Sequence, residues 1–146
     1  MPFRVVYLVP GDEEPTQQLF DSYENASEFA NRAIQAGWYV ISIDRVARVR
    51  IRIERQKLKR AMQAIDVRYT VDKEVSHLAF SAVQQIAREL AAKQLPEKQN
   101  YFVEHYSGNL YVVGPDSKKF LQKLKERVRE AICYAISSQG YEVIEV

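Results

Sequence analysis

The sequence has little of the residues that most often build disulfide, metal or catalytic sites. Its 146 residues include one cysteine, two histidines, five glycines and five prolines. The single cysteine, Cys133, cannot form an intramolecular disulfide, and such usage is typical of reducing compartments. Because glycine and proline are few, there is little room for long linkers, and we expect residues 1–146 to form one domain.

Long apolar runs are also missing. No stretch approaches the roughly 18–20 apolar residues that cross a membrane. The first twenty residues contain no uninterrupted apolar core of a signal peptide, because the segment from Pro10 to Pro15 interrupts the apolar run after Val9. We therefore expect a cytoplasmic protein that does not contact membranes. A hydrophobic content of 47% and a charged content of 27% are typical of a globular domain with one core.

The candidate catalytic side chains do not converge. His105 is adjacent to Glu104 in a predicted strand, so the two side chains point to opposite faces and form no dyad. His77 lies near a helix start, off the apolar stripe. Cys133 falls inside a helical core pattern, and the carboxylates of residues 12–14 lie in one turn, where they rarely converge on a cation. We expect a non-enzymatic protein with no catalytic residue, cofactor or metal.

Both ends of the chain predict two strands, a helix and a third strand. In the first unit, residues 1–54, the helix begins with the capping-box pattern at Asn25 and ends at Gly37. Its predicted strands cover residues 3–9, 17–23 and 38–53. In the second unit, residues 99–146, a helix begins after Asp116 and ends at Gly140. Its predicted strands cover residues 101–106, 110–113 and 141–146.

Between these units, residues 55–98 predict a helical insertion. Apolar residues recur at helical spacing from Lys57 to Asp66, and again from Asp72 to Leu95, where Pro96 follows. The sequence therefore predicts an α+β fold. Two strand–strand–helix–strand units contribute to a mixed sheet, the helices at 25–36 and 117–139 cover one face, and the insertion packs at one side.

Charge is distributed unevenly along the chain. Residues 1–44 contain two basic and seven acidic side chains, whereas residues 45–60 contain eight basic side chains and only Glu54 as an acid. From Val46 to Glu54 the pattern alternates strictly between apolar and charged, the period of a half-buried strand. We predict one long strand, bulged at Arg45, with Arg48, Arg50 and Arg52 on its solvent face.

The arginines of this strand would form a ladder with rungs about 6.5–7 Å apart, two residues of strand rise. Neighbouring phosphates of a nucleic-acid strand have a similar separation, and guanidinium groups bind phosphate bidentately. The predicted anion-binding residues are Arg45, Arg48, Arg50, Arg52, Arg55, Lys57, Lys59 and Arg60, the last four extending onto the start of the next helix. The aromatic residues predicted to stack on bases are Trp38, Tyr39, Tyr106 and Tyr111.

Three interpretations of the basic segment remain open. The segment binds DNA, RNA or another polyanion, which would make the protein a nucleic-acid-binding adaptor or regulatory protein. Alternatively, acidic and basic surfaces pair between copies, or with an acidic protein partner, in an assembly module. In the third interpretation the charges protect a sheet edge, or are neutralised by the acidic N-terminal region. No zinc-ligand spacing, GXXG clamp or recognition-helix pair selects among them.

Overall fold

The computed structural model describes residues 2–93 and 101–146, and this part of the chain contains seven strands and three α-helices. The first unit comprises β1 (Phe3–Leu8), β2 (Thr16–Phe20), α1 (Tyr23–Gln35) and β3 (Tyr39–Lys57). The central part comprises β4 (Met62–Val71), a single 3₁₀ turn (Lys73–Val75) and α2 (Ser76–Ala92). The second unit comprises β5 (Phe102–Tyr106), β6 (Asn109–Pro115), α3 (Lys118–Ser137) and β7 (Glu142–Glu145).

All seven strands join one sheet, in the order β2-β1-β3-β4-β6-β5, with β7 added to β3. Every ladder is antiparallel except that between β3 and β7. The predicted α+β class is therefore confirmed, and so are the two strand–strand–helix–strand units. The long strand β3 connects the units, because it pairs with β1 along residues 39–45 and with β7 along residues 46–49.

The helices pack on one face of the sheet, where they form two apolar clusters. The larger cluster buries Val49 of β3 and Val67 of β4 against Val83 of α2 and Val128 of α3. The smaller cluster packs Val5 and Tyr7 of β1 against the alanines of α1. Along most of β3 and β4, alternate residues enter a core, while the residues between them point to the opposite face.

The predicted helix over residues 57–66 is wrong. β3 continues to Lys57, a tight turn follows, and β4 begins at Met62, so the helical insertion is provided by α2 alone. The spacing of Leu58, Ala61, Met62 and Ile65 also fits a hairpin, and burial decides between the two. Ile65 enters the core with Gln63, whose amide nitrogen donates to the carbonyls of Pro115 and Ser117 at 2.8 and 3.0 Å.

Several predicted helix ends are displaced. The side chain of Ser22 caps α1 by accepting from the backbone N–H of Asn25, and Ser117 rather than Asp116 caps α3. α2 begins at Ser76 instead of Asp72. The predicted end of that helix at Leu95 lies outside the described residues. No helix in the described part of the chain is long and apolar enough to cross a membrane.

Candidate functional site

The face of the sheet opposite the helices is solvent-exposed, and we call it the open face. Directly paired residues of antiparallel strands point to the same face, so the register assigns its members. On β3 and β4 they include Arg50, Arg52, Glu54, Asp66, Arg68 and Thr70, and Arg48 has the same parity on β3. On β5 and β6 they include Phe102, Glu104, Tyr106, Asn109 and Tyr111. Within residues 2–93 and 101–146, no helix covers this set.

The predicted arginine ladder lies on the open face, and a fourth arginine joins it. Arg50 is directly opposite Thr70, and Arg52 is directly opposite Arg68. Arg68 is 64% exposed and lies 3.6 Å from Asp66, two residues away on the same strand. In the described part of the chain, Arg50 and Arg52 have no ion-pair partner. Three exposed guanidinium groups therefore form a compact cluster, which we call the arginine cluster.

Arg48 belongs to the same ladder but is largely neutralised. Its guanidinium nitrogens bind Asp72 Oδ1 at 2.9 and 3.2 Å, and its backbone N–H donates to Asp72 Oδ2 at 2.8 Å. Burial of Asp72 opposes ionisation, but the side-chain and backbone hydrogen bonds from Arg48 outweigh it and lower the pKa of the carboxyl. The ion pair likewise raises the pKa of Arg48. The neutralising carboxylate comes from the end of β4, not from the acidic N-terminal region.

Arg45 lies on the other face of the sheet. It occupies the parity of Ala47 and Val49, so its side chain points to the helices. The guanidinium donates to the carbonyl of Gln139 at 3.0 Å and lies 4.3 Å from the ring centroid of Tyr141. The predicted bulge is elsewhere, because the β1–β3 register shifts between Ser42 and Val40. Arg45 is thus a packing residue at the end of α3.

The remaining basic residues are also separated from the ladder. Arg55 and Lys57 are paired with the buried residues Ile65 and Gln63, which assigns their side chains to the helix-covered face. Lys57 Nζ lies 4.0 Å from Asp116 Oδ2. Lys59 and Arg60 lie in the β3–β4 turn instead of a helix. The eight predicted residues therefore do not form one surface.

A row of carboxylates borders the arginine cluster. Glu54 is opposite Asp66, and Asp66 is opposite Tyr111, which is in turn opposite Glu104. This row is the next one along the strands after the Arg52–Arg68 row. The open face is consequently striped, with cations and anions in neighbouring rows.

The aromatic residues of the β5–β6 hairpin lie on the open face beside these rows. Phe102 and Tyr106 on the edge strand β5 are 51% and 61% exposed. The rings of Phe102 and Tyr111 meet edge to face with centroids 6.2 Å apart. The hydroxyl of Tyr106 donates a hydrogen bond to Glu104 Oε2 at 2.9 Å, and this hydrogen bond raises the pKa of Tyr106. We call Phe102, Tyr106 and Tyr111 the aromatic platform.

The other predicted stacking residues are not part of this surface. Trp38 is partly buried against the smaller core cluster, with its ring stacked on Tyr7 at a centroid distance of 5.4 Å. Tyr39 is exposed at the start of β3, where it pairs with Leu8. It lies nine residues from Arg48, about 30 Å along an extended strand.

His105 takes part in a packing network on the helix-covered side. Its Nε2 lies 2.6 Å from the hydroxyl of Tyr69, and its Nδ1 lies 2.7 Å from Gln84 Oε1. The ring stacks on Phe80 with centroids 4.5 Å apart. Burial lowers the pKa of His105. Glu104 points to the open face, as the strand parity predicts.

Cys133 lies beside Glu145, which its thiol contacts at 3.6 Å, and burial raises the pKa of the thiol. Within the described residues, no group of three or more histidine, cysteine, aspartate or glutamate side chains is placed to hold a metal ion.

Arg68 is an open-face residue that was not among the predicted site residues. A sequence signal exists for Arg68, because Asp66, Arg68 and Thr70 alternate with the buried residues Ile65, Val67 and Tyr69. No protein-family model, curated protein or solved structure matches the chain. The geometry of the open face therefore carries the functional argument alone.

Proposed function

We propose that the protein is a non-enzymatic nucleic-acid-binding protein, whose open face contacts a phosphate backbone through Arg50, Arg52 and Arg68. The observation that carries this proposal is the arginine cluster itself. Arg52 and Arg68 are directly opposite each other, although like charges in such pairs destabilise a sheet. A polyanion lying over the open face of these two strands would relieve that repulsion and accept several charge-assisted hydrogen bonds.

The spacing of the cluster supports the same function. Arg50 and Arg52 are two residues apart on β3, about 6.5–7 Å, whereas Arg52 and Arg68 are on strands about 4.8 Å apart. Flexible arginine side chains at these separations can contact adjacent phosphates of one strand. Phosphate contacts fix position without selecting sequence, so this part of the face supports binding in general.

A salt titration tests the proposal. For three phosphate contacts to a single strand, the log–log dependence of affinity on salt should have a slope of about −2. The double variant Arg50→Gln, Arg52→Gln should reduce its magnitude by about 1.4, since each lost contact removes about 0.7. The control Arg55→Gln, Lys59→Gln removes the same charge from residues outside the open face and should bind like the wild type. Absence of binding at about 50 mM salt would refute the proposal.

The carboxylate row favours a second candidate function, face-to-face assembly of two copies. Displaced by one row, two open faces would place Glu54 and Asp66 of one copy over Arg52 and Arg68 of the other. Complementary charge of this kind fixes register between partners. In this case Arg52→Glu alone should lower the mass measured by analytical ultracentrifugation. The reversal Glu54→Arg added to it should restore the mass.

A further inference from the structure

The aromatic platform and the arginine cluster share one face, and this arrangement identifies a ligand class. We propose that the ligand is a single-stranded nucleic acid, an inference that rests on the proposed function. Its phosphates lie over the arginine cluster on β3 and β4, and its bases stack on Phe102, Tyr106 and Tyr111 of β5 and β6. A duplex, whose bases are already stacked and paired, is not the ligand.

Stacking surfaces need exposed rings held in place by a rigid element, and the hairpin provides both. Phe102 and Tyr106 are more than half exposed although strand residues of their size are commonly packed. Phe102 and Tyr111 hold each other through their edge-to-face contact, and Glu104 orients Tyr106 through its hydroxyl. Because single-stranded bases stack on such rings whatever their sequence, the platform fits an unpaired strand better than a duplex.

The two parts of the surface are close enough to contact one ligand. The register places Arg52, Arg68, Asn109 and Tyr106 in a single row across four adjacent strands. Three inter-strand spacings separate the backbones at the two ends of this row, about 14 Å. Because arginine and tyrosine side chains are long, those at the two ends of the row can both contact one short oligonucleotide.

The carboxylates beside the aromatic platform indicate that the phosphates bind at the arginine cluster. Glu104 and Asp66 lie next to the platform, and their carboxylates would repel phosphate there. The carboxylate of Glu104 already accepts from the Tyr106 hydroxyl, and carboxylate oxygens also accept from the amino groups of bases. Phosphates therefore belong over the arginines, and bases belong over the platform.

Fluorescence anisotropy with a labelled 12-nucleotide single strand and the matching duplex tests this assignment. The wild type should bind the single strand more tightly than the duplex. Phe102→Ala and Tyr106→Ala should each weaken single-strand binding about tenfold, the loss typical of one stacked base, without changing the salt slope. Tyr106→Phe keeps the ring and should retain most of the affinity. Tyr134→Ala, which removes an exposed ring from α3, is the matched control and should bind normally.

The outcomes separate this inference from the proposed function. If the arginine double variant loses binding while the ring variants do not, or if duplex binds as tightly as single strand, the platform assignment is overturned and phosphate binding remains. If the wild type binds neither nucleic acid at about 50 mM salt, both are overturned. If Tyr106→Ala changes the oligomeric mass instead of nucleic-acid binding, the open face is an interface between copies, which also overturns the assignment. Circular dichroism of each variant confirms that the fold is retained.

Discussion

Arg52 of β3 and Arg68 of β4 are directly opposite each other on the open face, a like-charge pair in the middle of an antiparallel ladder. Opposed like charges cost a sheet up to about 1 kcal/mol. We predict that Arg68→Thr increases the free energy of unfolding by a few tenths of a kcal/mol to about 1 kcal/mol, measured by urea denaturation. The same change should weaken oligonucleotide binding, because it removes one of the three proposed phosphate contacts.

Arg50→Thr is the matched control for this prediction. Arg50 is opposite Thr70, so its removal relieves no like-charge pair but still removes a proposed phosphate contact. It should weaken binding without stabilising the fold. Equal stability changes in the two variants would show that the Arg52–Arg68 opposition has no energetic consequence.

The parity of β3 was predictable from sequence because period two is a local property. Val46 to Glu54 alternates regularly, and the structure places Arg48, Arg50 and Arg52 on one face as expected. The contacts that an arginine side chain makes depend on residues distant in sequence. Asp72, which neutralises Arg48, is 24 residues away, and Gln139, which binds Arg45, is 94 residues away. No local pattern reports such contacts.

The strand β4 and the aromatic platform depend on features that a local sequence pattern does not determine. The window from Leu58 to Ile65 satisfies both helical and strand spacing, and only the position of the turn resolves the ambiguity. For Phe102 and Tyr106 the alternation was visible, but alternation does not say which face the helices cover. That choice depends on where α2 and α3 pack, which the sequence alone does not specify.

The β3–β4 turn contains two consecutive non-glycine residues in the left-handed region, Arg60 and Ala61, with φ of 63° and 54°. This conformation costs an L-residue roughly 1–2 kcal/mol, whereas glycine adopts it freely. We therefore predict that Ala61→Gly stabilises the protein by about 1 kcal/mol, measured by thermal and urea unfolding. The mid-helix control Ala82→Gly in α2 should destabilise instead, by at least roughly 0.5–1 kcal/mol. Destabilisation by both changes would contradict the turn assignment.

The Arg48–Asp72 pair links stability to binding. Asp72→Asn removes the carboxylate that holds Arg48, so it should release a fourth arginine to the ladder and tighten single-strand binding several-fold. It should also destabilise the fold at neutral pH. Because the pKa of Asp72 is lowered on folding, its contribution is present above the unfolded value of about 3.9 and is lost as the pH falls through the folded value. In the variant, this acid-dependent loss of stability should shrink.

Asp116→Asn is the control for this prediction, since it removes the same charge near Lys57, away from the open face. Titrations of both variants at two salt concentrations distinguish a released arginine from a general charge effect. A released arginine increases the magnitude of the salt slope by about 0.7, whereas a general effect changes both variants alike. An unchanged slope for Asp72→Asn would mean that Arg48 does not contact the ligand.

The His105 network predicts a second pH dependence, in a different range. With Gln84 Oε1 as acceptor, Nδ1 carries the ring proton and Nε2 accepts from the hydroxyl of Tyr69. A proton added to Nε2 would face that hydroxyl, and the cation would lie beside Phe80, with Arg88 lining the same groove. Burial lowers the pKa of His105, so the unfolded chain takes up the proton first as the pH falls. The free energy of unfolding should therefore be largest above the unfolded pKa, about 6.5, and should decrease from there towards the folded value.

His105→Gln removes the titrating group, and it should flatten the stability profile between pH 7 and 5 while lowering stability at pH 7. The profile is measured by urea denaturation at half-unit pH intervals. His77 is exposed in the first turn of α2, so His77→Gln should leave the pH dependence of the wild type intact. Since Glu104 is adjacent to His105 but faces the platform, single-strand affinity should not follow this profile. A parallel loss of affinity and stability between pH 7 and 5 would show instead that β5 transmits the protonation of His105 to the open face.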